Sequence, residues 1–196
     1  MDRHTDGAQH ADALGALRAA TASRHDLLDN DLAIARPDAT LDDYAAHLRL
    51  LRAWLLPLHA ALARYGEGPQ VDTRARLAGR LALIEADLAE PGMPPAAAAP
   101  GVQEPWPEDA SAAWRWGVCY VVEGAQLGGA VLYQRLHGRL APHPLRYLDG
   151  GPAGPGPRWR AFMQGLREHV RTPAEIADAC AGACAAFDRI LALRGA

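Results

Sequence analysis

The stretch Tyr120-Val121-Val122-Glu123-Gly124-Ala125-Gln126-Leu127-Gly128-Gly129-Ala130-Val131-Leu132 reads as the middle of an apolar helix, yet it holds three glycines. A glycine inside a helix costs roughly 1 kcal/mol relative to alanine, so three in one turn and a half need a reason. Gly124 and Gly128 lie four apart and share a face, and Gly129 widens the bare strip. Either a second helix packs close against this strip, or a flat ligand lies directly on the backbone. Spacing alone leaves both open.

Working outward, this helix starts near Asp109 or Ser111 and ends at about His137. Before it, Leu14, Leu17, Thr21, Leu28 and Leu32 recur at helical spacing and place a first helix over about 11–30. Thr40-Leu41-Asp42-Asp43 opens a second, with acids in its first turn and Tyr44, Leu48, Leu51, Leu55 and Leu58 on one stripe. Pro57 is expected to kink it, and Gly66-Glu67-Gly68-Pro69 ends it. A third helix over about 72–90 turns Leu77, Leu81, Ile84 and Leu88 inward. Residues 91–108 and 139–157 gather Pro, Ala and Gly and read as long loops. A fifth helix follows over about 158–170. Thr172-Pro173-Ala174-Glu175 is a capping box that opens the last helix, to about Arg194. The expectation is an all-α, single-domain bundle of about six helices over residues 11–196, after a flexible polar lead at 1–10.

Composition agrees. Alanine, the best helix former, makes up about a fifth of the 196 residues, while Tyr and Phe number 5 and 2. The net charge is −3 and every basic side chain is Arg. A weakly acidic chain without a basic tract argues against nucleic acid or an anionic membrane as partner. Cys119, Cys180 and Cys184 are too few for a disulfide framework, and Cys180 and Cys184, at i and i+4, supply only two ligands toward a metal. No apolar run approaches the ~20 residues that span a bilayer, and Met1-Asp2-Arg3-His4-Thr5-Asp6 lacks an apolar signal region, so the cytoplasm is the expected compartment.

The first helix holds the second chemically suggestive segment, Leu17-Arg18-Ala19-Ala20-Thr21-Ala22-Ser23-Arg24-His25-Asp26-Leu27-Leu28-Asp29. His25 lies toward Leu14, Leu17, Thr21 and Leu28, with Asp29 one turn later on the same face. A carboxylate at i+4 can accept from one ring nitrogen and leave the other as a ligand. Arg18, two turns before His25, could pair a ligand carboxylate. A lone histidine at such a position is otherwise an ordinary core or surface residue, as His47, His59, His137, His143 and His169 are read here.

Together the two segments resemble the heme oxygenases. That family carries L-[KR]-x-A-T-x-x-x-H on its first helix, matched by Leu17 to His25, and G-x-x-x-G-G on a distal helix, matched by Gly124 to Gly129. The distal segment is most similar to bacterial members, including those that supply biliverdin to bacteriophytochromes. The resemblance implies one b-type heme sandwiched between the two helices and opened with O2 to biliverdin, CO and ferrous iron. It implies His25 as axial ligand to the heme iron, oriented by Asp29, with Thr21 beside it. Arg18 would pair a propionate, and Phe187 of the last helix would pack on the heme edge. Gly124, Gly128 and Gly129 would leave the oxygen side open. Ala125 stands where many members carry an Asp that organises distal waters, leaving Gln126 and Glu123 as neighbouring polar groups. The family's propionate-side Tyr falls at Cys119 and an Arg at Val121, while a basic pair falls near Trp159 and Met163, beside Arg158 and Arg160. Electrons would come from a ferredoxin or flavin reductase, since no flavin or nicotinamide motif is present. The rival expectation is a heme-binding or heme-free member of the same fold that acts as a binding module.

Overall fold

The computed structural model describes residues 12–95, 105–151 and 153–194. Its elements are α1 (Ala13–Asp31), a 3-10 turn (Ala33–Ala35), α2 (Leu41–Leu62), α3 (Gln70–Leu88), α4 (Ala112–Leu136), α5 (Arg146–Asp149), α6 (Gly156–His169) and α7 (Pro173–Arg194). Among the described residues there is no strand. The expected lead at 1–10 lies outside them.

Local chemistry sets the helix ends. Thr40 and Asp43 form a reciprocal capping box on α2. Thr172 and Glu175 form another on α7, where Glu175 Oε2 accepts from the backbone N–H of Arg171 and Thr172 at 2.9 Å each. Those bonds hold the Glu175 carboxyl below its ordinary value. Asp12 and Ser111 cap α1 and α4.

One expectation is corrected. The described residues form seven helices, in line with about six, and the short α5 forms inside the expected second loop. It is held from outside: buried Asp87 of α3 accepts from the first backbone N–H groups of α5, Arg146 at 3.2 Å and Tyr147 at 2.9 Å, and from the Tyr44 hydroxyl at 2.6 Å. No four-residue helix could persist without such a partner. α2 runs on through Pro57 without ending there. The Pro57 ring stays exposed, while Trp54, Leu55 and Leu58 are buried around it and hold the helix on both sides of the missing donor.

α3 buries polar residues as well as Leu77 and Ile84. Glu123 of α4 is 3% exposed and accepts from Thr73 Oγ1 at 3.1 Å, Arg76 Nη2 at 3.0 Å and Arg80 Nη2 at 2.9 Å. A buried carboxylate persists only with such pairing.

The tightest approach joins α4 to α7. A Cβ placed on Gly117 would fall 1.8 Å from the Ala179 carbonyl oxygen, and one on Gly182 would fall 2.0 Å from that of Trp114. The helices therefore meet backbone to backbone, with Ala179, Ala183 and Ala186 fully buried along α7. On its other side α7 holds α1, through Arg24 to Asp188 (2.7 and 3.1 Å), Cys184 Sγ to Ala20 O (3.4 Å) and Arg194 to Leu27 O (2.7 Å).

Gly117→Ala should destabilise the protein by about 3 kcal/mol or more, since no flexible side chain can move out of the way. Gly79→Ala, on an exposed face of α3 with nothing within 4 Å of the new methyl, should stabilise it by up to about 1 kcal/mol. Denaturant unfolding monitored by circular dichroism compares the two.

Candidate functional site

α1 and α4 both rest on α7, and a cleft of about 700 Å³ opens between them. That volume suits a large organic ligand. Its walls are mainly apolar: Leu28 and Leu32 follow α1, Leu50, Leu51 and Trp54 come from α2, and Phe187 and Ile190 from α7.

On the α1 wall His25 is 60% exposed at its side chain, and its Nδ1 lies 3.1 Å from Asp29 Oδ2. The i,i+4 register that the sequence gives these two residues thus becomes a contact, and Nε2 stays free to bind. Phe187 meets the His25 ring edge-on with centroids 5.9 Å apart. Thr21 is buried, spends its hydroxyl on Leu17 O at 2.8 Å and lines the cleft. Arg18 is exposed and is not a wall residue. It lies against the Tyr120 hydroxyl at the rim, where burial pushes the phenol up and Arg18 partly offsets that.

On the α4 wall stand Gly124, Ala125, Gly128 and Gly129. A Cβ on Gly128 would meet nothing within 4 Å, one on Gly129 would touch only Leu148 at 3.7 Å, and one on Gly124 only Trp159 at 3.5 Å. Of the two reasons for the strip, helix packing is therefore met elsewhere, at Gly117 and Gly182. The strip itself is bare backbone facing the cleft.

The polar neighbours of the strip divide. Glu123 points away, into the arginines of α3. Gln126 donates to the Tyr147 hydroxyl at 3.1 Å, and Tyr147 is a wall residue. Cys119 is fully buried, Val121 and Trp159 line the cleft, and Met163 is buried outside it. Arg158 bonds Gly150 O instead of reaching the cleft. Cys180 and Cys184 remain free thiols, and no group of metal-binding side chains occurs among the described residues.

Sequence reasoning passed over several wall residues. His47 and Trp54 of α2 each keep a buried ring nitrogen without a partner, Nδ1 and Nε1. Burial pushes His47 down to about 4. Arg135 reaches the wall near the end of α4 and donates to Ala35 O at 3.2 Å. His47 sits one residue before an apolar stripe position, so spacing gave it the look of an edge histidine.

The heme oxygenase family model matches residues 11–193. The chain belongs to the heme oxygenase family. A protein named heme oxygenase from Xanthomonas campestris pv. campestris (strain 8004) is 40% identical over 113 residues, 55% of this chain and 62% of that one, so the match spans less than two thirds of that relative. The fold is similar to that of the heme oxygenase from Neisseria meningitidis solved with NO and CO bound, with a TM-score of 0.65 and 23% identity over 91% of this chain and 88% of that one. The all-helical architecture is thus that of the heme oxygenases. No helix among the described residues is long and apolar enough to cross a membrane.

The wall residues fit a heme. A mainly apolar cleft has a free imidazole nitrogen on one side and backbone without side chains on the other. His47 gives a pH test of this wall. Its folded value, about 4, lies below the ordinary 6.5, so its contribution to stability is complete above about pH 6.5 and is lost as pH falls toward 4. The loss should reach about 3 kcal/mol. Urea unfolding of the heme-free protein at pH 7 and pH 4.5 should show it, and His47→Leu should flatten it.

Proposed function

We propose that this protein is a heme oxygenase that binds one b-type heme as both substrate and cofactor. When bound, the heme iron activates O2, and with external electrons the porphyrin ring is opened to biliverdin, CO and Fe2+. The observation that carries this reading is the pairing across one cleft of His25, with Nδ1 on Asp29, and the bare strip at Gly124, Gly128 and Gly129.

Each residue then has a task. Asp29 fixes the imidazole as the Nδ1–H tautomer and makes Nε2 a better donor to iron. Phe187 and Thr21 limit the tilt of the His25 ring and of anything seated on it. Arg18, beside Tyr120, offers a fixed cation for a propionate at the rim, in the bidentate form that guanidinium allows. The glycines let a ligand and O2 approach the backbone, and the apolar walls exclude bulk water. Ala125, exposed on this strip, brings no proton donor, so a polar group there must come from another element. The electron donor is an external ferredoxin or flavin reductase, the setting is cytoplasmic, and a bacteriophytochrome is a fitting recipient of the biliverdin.

Hemin titrated into the purified protein should give a Soret band that saturates at one equivalent. Ascorbate in air should then convert it to the red absorption of biliverdin. Asp29→Asn should weaken heme binding by about tenfold, and His25→Ala should abolish the axial-histidine spectrum and the turnover. A stable, unconverted band would favour the binding-module reading. Absence of a band, or a His25→Ala variant that behaves as wild type, would sink the assignment.

A further inference from the structure

The cleft wall on the α4 side carries one hydroxyl whose oxygen is already fixed. Tyr147 belongs to α5, yet two contacts tie it and its neighbour to the glycine segment of α4, and a third fixes it on α3. Gln126, between Gly124 and Gly128, donates to its hydroxyl oxygen at 3.1 Å. Its neighbour Leu148 is the atom group nearest to Gly129. Its own backbone N–H is anchored on Asp87 at 2.9 Å. The ring is buried and lines the cleft. A phenol has one proton to give, and Gln126 leaves that proton unused because it donates to the oxygen. Burial pushes the Tyr147 phenol up, so the proton is held at neutral pH.

The other polar groups near the strip are committed elsewhere, lie at the rim or belong to another wall: on α4, Tyr120 sits at the rim with its hydroxyl against Arg18, and Arg135 donates to Ala35 O at 3.2 Å near the helix end. Glu123 is spent on Thr73, Arg76 and Arg80. Ala125 has no polar group. The unpartnered nitrogens of His47 and Trp54 come from α2 and make no bond to α4.

We infer that Tyr147, positioned by Gln126, is the hydrogen-bond donor on the glycine side of the cleft, and that it would donate to a small ligand held on that side when heme is bound. This rests on the heme reading of the cleft. It supplies from α5 the polar group that position 125 lacks, and makes Gln126 a positioning residue that acts through Tyr147. The hydroxyl donates to a water or anion on that side and leaves the approach over Gly128 open.

The test uses the ferric complex titrated with fluoride and the infrared C–O stretch of the ferrous CO complex, both of which report a hydrogen bond to the bound ligand. Tyr147→Phe keeps the ring and should leave hemin affinity within about twofold, while fluoride affinity falls about tenfold, the worth of one hydrogen bond to a charged acceptor. The C–O stretch should rise. Gln126→Leu leaves the phenol in place but loose, and should move both readouts the same way by less. A fluoride affinity and C–O stretch unchanged in Tyr147→Phe overturn this inference alone. So does a His47→Leu variant that moves both readouts while Tyr147→Phe does not. If the wild-type protein gives no saturating Soret band, the heme reading falls, and this inference with it.

Discussion

The backbone contact between α4 and α7 is the constraint on which the rest of the molecule depends. Gly117 and Gly182 remove the two methyl groups that would otherwise collide with the Trp114 and Ala179 carbonyls. The helices close to the distance their main chains permit, and Ala179, Ala183 and Ala186 keep the seam narrow. Because α7 also carries α1, this seam sets where the His25 wall stands relative to the glycine wall. A looser crossing would change the width of the cleft between them, the dimension that a planar ligand reads most directly.

Buried charge secures the second side of α4. Glu123 faces Arg76 and Arg80 beneath the glycine segment, and Asp87 collects donors from Tyr44, Arg146 and Tyr147. Removing either carboxylate would leave arginines or backbone N–H groups without partners, which costs several kcal/mol, whereas the intact networks are close to neutral in net stability. Their contribution is to orientation. They stop α4 rotating about its axis, which keeps the strip turned to the cleft, and they bring α5 and its Tyr147 against it.

The walls are thus unequal in rigidity. The α4 side is held by the seam and the carboxylate networks. The exposed outer half of α1 is held by its bonds to α7, of which the Arg24–Asp188 pair is solvent-exposed and individually weak. The His25 wall therefore stands on a helix held by exposed bonds, and the glycine wall on a helix held by the buried seam.

Apart from α5 inside the second loop, the fold was legible in one dimension, because amphipathic period, capping boxes and loop composition are local properties. The two motifs at Leu17 to His25 and Gly124 to Gly129 were legible for the same reason: each lies within one helix, and register alone puts His25 over Asp29 and Gly124 over Gly128. What opposes a face is not local. Nothing in the spacing separates glycines that pack, Gly117 and Gly182, from glycines that face space, Gly124, Gly128 and Gly129. The sequence drew attention to the denser cluster and passed over the pair that joins the helices. It also could not tell that Glu123 turns inward to α3, that Asp87 builds α5, or that Gln126 reaches Tyr147 across twenty-one positions. Those outcomes follow from which surfaces meet, and only the packed chain decides that.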